Sequence, residues 1–121
     1  MMRGIRGATT VTENTSEAIH EATTELLQKM LDANSVEFEN ICSIIFTVTP
    51  DINAAFPAEA ARAIGMTTVP LLNALEIPVP GRLQKAIRVM MHVETDKKQT
   101  EVKHIYLREA VVLRPDIASA Q

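Results

Sequence analysis

The chain has little of what most site chemistries require. One of its 121 residues is cysteine, Cys42, so no intrachain disulfide framework can form, in keeping with a reducing compartment. Cys42 sits in Ile41-Cys42-Ser43-Ile44-Ile45 with no adjacent base and reads as a small core residue, not a nucleophile. Tryptophan is absent and the aromatics are Phe38, Phe46, Phe56 and Tyr106, too few for a platform that stacks single-stranded bases. The net charge of −3 offers no field for phosphate backbones, so no nucleic-acid partner is expected. His20, His92 and His104 are scattered without the paired spacing of a metal site. Among four glycines, Gly4 and Gly7 do not have the spacing of a dinucleotide fingerprint, and no phosphate-cradling loop is present. Neither a metal nor a cofactor is expected. No stretch approaches the roughly 18 apolar residues of a membrane span. The start Met1-Met2-Arg3-Gly4 lacks the apolar core of a signal peptide, so the expectation is a cytoplasmic protein without a membrane partner.

What is present includes a charge in an unusual place. Arg88 lies within Ala86-Ile87-Arg88-Val89-Met90-Met91-His92-Val93, which otherwise reads as a buried strand. Removing a guanidinium from water costs several kcal/mol even after relaxation, so a strand keeps one when a carboxylate, an anionic ligand or both complete its hydrogen bonds. A second arginine repeats the pattern in Arg3-Gly4-Ile5-Arg6-Gly7-Ala8-Thr9-Thr10-Val11. With strand period, Gly4, Arg6, Ala8 and Thr10 share a face, which leaves space beside Arg6 for its own side chain or for a ligand. The alternative is a surface arginine whose stem lies along the sheet.

One domain over 1–121 is expected, with 117–121 as a flexible tail. Asn14 as cap and Glu17 three residues on start a helix. Its stripe of Ile19, Ala22, Thr23, Leu26, Leu27, Met30 and Leu31 continues to near Asn34. A strand over 41–48 reads as buried on both faces. Pro57 opens a short helix that Gly65 stops. Further strands are expected over 68–77, around Arg88, and over 103–113. The fold class is α+β, a single five-stranded mixed sheet covered by one long helix plus a short helix. One helix cannot cover both faces, so the second face implies an oligomer.

The remaining chemistry is a set of fixed charges: Arg6, Arg62, Arg88 and Arg114, with Glu76 closing the run Val69-Pro70-Leu71-Leu72-Asn73-Ala74-Leu75. Such a set binds anions and stabilises developing charge, with Glu76 as its one evident proton-transfer group. A plain Glu76 salt bridge to Arg6 or Arg88 is an equally good reading of the residues alone.

Seven segments in constant order carry a resemblance: Arg3-Gly4-Ile5-Arg6-Gly7-Ala8-Thr9-Thr10-Val11, Thr49-Pro50-Asp51, Phe56-Pro57-Ala58, Val69-Pro70, Ile87-Arg88-Val89-Met90-Met91, His104-Ile105-Tyr106-Leu107 and Val111-Val112-Leu113-Arg114-Pro115-Asp116. Together they resemble the monofunctional, trimeric α/β chorismate mutases of bacteria, over nearly the whole chain. The resemblance implies a homotrimeric pseudo-barrel with interfacial sites, no cofactor, and rearrangement of chorismate to prephenate on the route to phenylalanine and tyrosine. By resemblance Arg88 donates to the breaking ether oxygen and a carboxylate, Arg6 binds carboxylate, and Glu76 accepts from the ring hydroxyl. Tyr106 would contact a carboxylate, Phe56, Ala58 and Arg62 would line a mobile entrance, and Leu113 with Arg114 would close over the ligand.

Two departures stand out. Leu72 and Asn73 replace the usual polar pair, which makes Asn73 the hydrogen-bonding substitute. Asn73 and Glu76 point to opposite faces of an ideal strand, so both reach one ligand only through a bulge or bend near Pro78. Glu59 stands where the family usually has lysine, which weakens electrostatic steering of a dianion. Alternative readings are an enamine or imine deaminase, or a noncatalytic small-acid sensor, on a similar trimeric scaffold.

Overall fold

The structure, a computed structural model, describes residues 1–113. Arg114 and the tail 117–121 lie outside the described residues. In chain order the elements are β1 (Met2–Thr10), α1 (Ser16–Asn34), β2 (Ile41–Val48), α2 (Ala58–Ala63), β3 (Leu71–Leu75), β4 (Ala86–Glu94) and β5 (Ile105–Tyr106). They form one five-stranded sheet of order β3-β2-β4-β1-β5. β4 pairs antiparallel with β1 and β2, while the outer strands β5 and β3 run parallel to β1 and β2. The expected mixed sheet under one long and one short helix is therefore present.

Alternation decides what each face carries. On β1 the side chains of Ile5 and Thr9 are buried toward α1, and on β4 Ile87, Val89, Met91 and Val93 do the same. The apolar stripe of α1 closes this face with Ile19, Leu26, Leu27 and Met30, all essentially without exposure. Gly7 permits the approach, since a Cβ there would stand 2.4 Å from the Met30 sulfur.

The structure differs from expectation at four places. The N-cap of α1 is Thr15, whose hydroxyl accepts from the Ala18 N–H at 3.1 Å. Asn14 instead joins the 53–54 loop, its Oδ1 accepting from the Asn53 and Ala54 N–H groups. β2 is not buried on both faces: Ile44 and Phe46 are buried, while Ser43, Ile45 and Thr47 are half-exposed on the face away from α1. β3 is shorter than 68–77, with proline at both 70 and 78 bounding the paired stretch.

The expected strand over 103–113 contracts to two residues, followed by a 3-10 helix at Arg108–Leu113. Arg108 takes a positive φ of 53° and donates from Nη1 to the Thr10 carbonyl at 3.1 Å. The chain thereby folds over the end of β1 instead of continuing beside it.

Candidate active site

The face away from α1 is built by register. Thr47 on β2 pairs with Arg88 on β4, Arg88 pairs with Ala8 on β1, and Ala8 pairs with Tyr106 on β5. Cross-strand partners project to the same side, so these residues form one row across the sheet. Glu76 extends the row just beyond β3, held there by its N–H to the Val48 carbonyl at 2.9 Å. Ala8 is small and fully buried, which lets the longer Arg88 and Tyr106 side chains flank it.

At the centre is a forked ion pair. Arg88 Nε donates to Glu76 Oε2 at 2.9 Å and Nη2 donates to Oε1 at 2.8 Å. The geometry is that of the strong, directional arginine–carboxylate bond. Thr47 Oγ1 adds a third donor to Glu76 Oε2 at 2.6 Å. The Glu76 side chain retains 12% exposure, against 36% for Arg88, so the guanidinium is the partner turned toward solvent.

Burial raises the Glu76 carboxyl pKa, but the hydrogen bonds from Arg88 and Thr47, with the Arg88 charge, outweigh it and leave the group below the ordinary glutamate value. Glu76 is thus ionised at neutral pH. For Arg88, the bond to Glu76 is the largest influence; burial opposes it, and the Glu76 charge assists, so the guanidinium is held more firmly protonated.

Around the pair opens a cleft of about 910 Å³, large enough for a small organic acid. Arg6, Arg88 and Tyr106 line it from the sheet, Glu76 from the end of β3, and Leu113 from the C-terminal side. Residues 77–84 form much of one wall, although sequence reasoning assigned them no role. Their base is fixed by Asp51, whose carboxylate accepts from the Lys85 N–H at 3.1 and 2.9 Å and from Thr49 Oγ1 at 2.5 Å. Thr47 was also missed. Its signal was the alternation Ser43, Ile45, Thr47, Thr49 inside a strand whose apolar residues dominated the reading.

The other candidates lie elsewhere in this chain. Asn73 faces α2, where its Oδ1 accepts from the Ala58 N–H at 3.1 Å. β3 pairs with β2 in unbroken register from Leu71 to Leu75, so no bulge turns Asn73 toward Glu76. Ala58, at the start of α2, is buried in the core, Phe56 is 62% exposed, and Arg62 is exposed on α2. His92 shares the Arg88 face but meets Ser43, its Nδ1 lying 3.3 Å from the hydroxyl.

Among the described residues no group of three or more His, Cys, Asp or Glu side chains is placed to hold a metal ion, and no helix is long and apolar enough to cross a membrane.

A mixed sheet with an arginine–glutamate pair, a second arginine and a phenol around an open cleft defines a class of α+β protein whose fixed charges suit it to an organic anion. The relatives make the class specific. The family model for chorismate mutase type I matches residues 2–117. The chain is 62% identical over 122 residues to Chorismate mutase AroH of Thermus thermophilus, covering all of both chains. It is 45% identical to Chorismate mutase AroH of Bacillus subtilis, over 98% of this chain and 94% of that one. Among solved structures, a chorismate mutase from Clostridium thermocellum superposes with a TM-score of 0.90 at 55% identity, over 91% of this chain and 98% of the other. The chain belongs to the chorismate mutase type I family.

Proposed function

We propose that the protein is a chorismate mutase that rearranges chorismate to prephenate in phenylalanine and tyrosine biosynthesis, acting in the cytoplasm as a homotrimer with interfacial sites. The observation that carries this reading is the Glu76–Arg88 fork in the floor of the cleft, with Arg6 and Tyr106 beside it. A Claisen rearrangement is unimolecular and concerted: the ether C–O bond breaks as a C–C bond forms. It requires neither nucleophile nor proton donor, and a site accelerates it by holding the compact conformer and stabilising the charge that separates.

Arg88 is suited to that task. A guanidinium has five N–H donors in one plane, and Glu76 engages two of them from one edge. Glu76 therefore orients the group while Arg88 donates to the ether oxygen as negative charge grows there and to a substrate carboxylate. One such donor lowers the barrier by about 2.7–4 kcal/mol, and a full charge in a dry site by more. The Glu76 carboxylate also accepts from the ring hydroxyl, and Arg6 and Tyr106 hold carboxylate.

The separation of the remaining candidates supports the trimer. Phe56, Ala58, Arg62 and Asn73 cluster around α2, on the opposite side of the sheet from the cleft. A neighbouring subunit that presents its α2 region to this cleft brings both groups together. Leu72, Leu75, Ile77 and Val79 are exposed apolar residues near the same edge, as expected of a surface that another copy covers. Leu113 then lines the site from the C-terminal side.

The test is loss of chorismate with time in chelator-containing buffer, for the wild type and Arg88→Ala together, with sedimentation at micromolar concentration. Conversion to prephenate that collapses in the variant, by a trimer, is the expected result. Chorismate that binds and persists identifies a sensor, and a stable active monomer removes the interfacial arrangement.

A further inference from the structure

The outer edge of β1 is closed in an uncommon way. Among the described residues, only Gly7 and Ala8 pair with a strand on this edge, opposite Ile105 and Tyr106 of β5. On the N-terminal side, side chains take the place of a strand. The Gln99 amide bonds both backbone groups of Gly4, its Oε1 accepting from the N–H at 3.2 Å and its Nε2 donating to the carbonyl at 2.8 Å. Arg3 Nε donates to the Lys97 carbonyl at 3.0 Å. Between these and β5, the N–H of Arg6 donates to His104 Nδ1 at 2.9 Å. A backbone N–H can only donate, so this bond requires an unprotonated Nδ1 and places the ring proton on Nε2.

We propose that His104 is a positioning residue for Arg6: its Nδ1 ties the backbone of Arg6 to the segment that carries Tyr106, so both are presented to the cleft only while the imidazole is neutral. Gln99 cannot change its bonding with pH, whereas His104 can. On protonation Nδ1 becomes a donor that faces another donor, and the Arg6 N–H loses its acceptor.

The surroundings favour the neutral form. Burial, then the Arg6 charge, holds His104 below the ordinary histidine value. On its own segment Lys103 precedes it and Tyr106 follows. On α1, which packs over β5, Glu25 is engaged by Arg108 at 3.4 Å. The positioning role rests on the proposed binding of substrate carboxylate by Arg6.

Two variants separate this role from a merely structural one. His104→Asn places an amide oxygen near the position of Nδ1, an acceptor that does not titrate. His104→Leu removes the acceptor. In the wild type, KM for chorismate is expected to rise with uptake of one proton on the acid side of the ordinary histidine value, with kcat little changed. His104→Asn should keep the neutral-pH KM within about threefold and lose that rise. His104→Leu should raise KM by about 10- to 100-fold at every pH, the scale of an ångström-sized misplacement. An acid rise that persists in His104→Asn overturns the proposal, as does a wild-type KM in His104→Leu.

The backbone amide resonance of Arg6 supplies a readout without turnover, since it should titrate together with the His104 ring. Absence of that co-titration refutes the positioning role. Its presence in a protein that does not convert chorismate refutes the proposed function instead.

Discussion

The two faces of the sheet are made from the same strands by alternate residues, yet they do different work. Toward α1, Ile5, Gly7 and Thr9 of β1 and Ile87, Val89, Met91 and Val93 of β4 meet a helix stripe with almost no exposure. On the other side, Gly4, Arg6 and Ala8 lie opposite His92, Met90 and Arg88, with Thr47 and Glu76 beyond. The first face contributes stability by removing apolar surface from water; the second keeps charge half-exposed, where a ligand can complete its hydrogen bonds. The difference teaches that substitutions one residue apart on a strand should separate folding from chemistry.

The sharpest break should come from Arg88→Ala. We expect kcat to fall by at least about 10³-fold, from loss of a charged donor at the ether oxygen, while circular dichroism still shows a folded chain. Retention of turnover in that variant would remove Arg88 from the mechanism. The opposite signature belongs to Leu26→Ala on the helix face. It should lower unfolding stability by about 2–5 kcal/mol in urea titration while turnover per folded molecule is kept.

Glu76 joins the two roles and sharpens the contrast through pH. Its folded-state carboxyl titrates below its unfolded value, so its contribution to stability is complete above the ordinary glutamate range. That contribution is lost as pH falls through the lowered value, and stability in Glu76→Gln should show correspondingly less acid dependence there. Glu76→Gln should also lose less activity than Glu76→Ala, because the amide oxygen still accepts a hydrogen bond; equal losses would argue against the hydroxyl-acceptor role. The smallest effect should come from Thr15→Ala, remote from the cleft, which removes the cap of α1 and lowers stability by about 1 kcal/mol with kcat unchanged.

Much of this was legible in the residues. Arg88 and Arg6 announced themselves because a long cation in an apolar strand requires a partner, and both line the cleft. The stripe from Ile19 to Leu31 identified α1, and the uncovered face followed from having one long helix. Other parts were legible only once strands were placed side by side. Thr47 looked like one more residue of a buried strand until its register with Arg88 put it within 2.6 Å of Glu76. Asn73 looked like a neighbour of Glu76 in one site until the unbroken register of β3 turned it toward α2, the side that carries Ala58 and Arg62. The expected final strand was overestimated because apolar content from Ile105 to Leu113 fits strand and 3-10 conformations alike, and the bond from Arg108 to Thr10 selects the latter.

By itself the sequence determined the elements and the charges: hydrophobic period sets which segments become helix or strand, and residue type sets which carry fixed charge. Tertiary structure alone decided which charges meet. Strand order and register bring Glu76, Thr47, Arg88, Ala8 and Tyr106 into one row across the sheet, although they are spread from position 8 to position 106. Hydrogen bonding between strands is nearly independent of side-chain identity, so local pattern specifies a strand and its faces, and only the packed sheet specifies its neighbours.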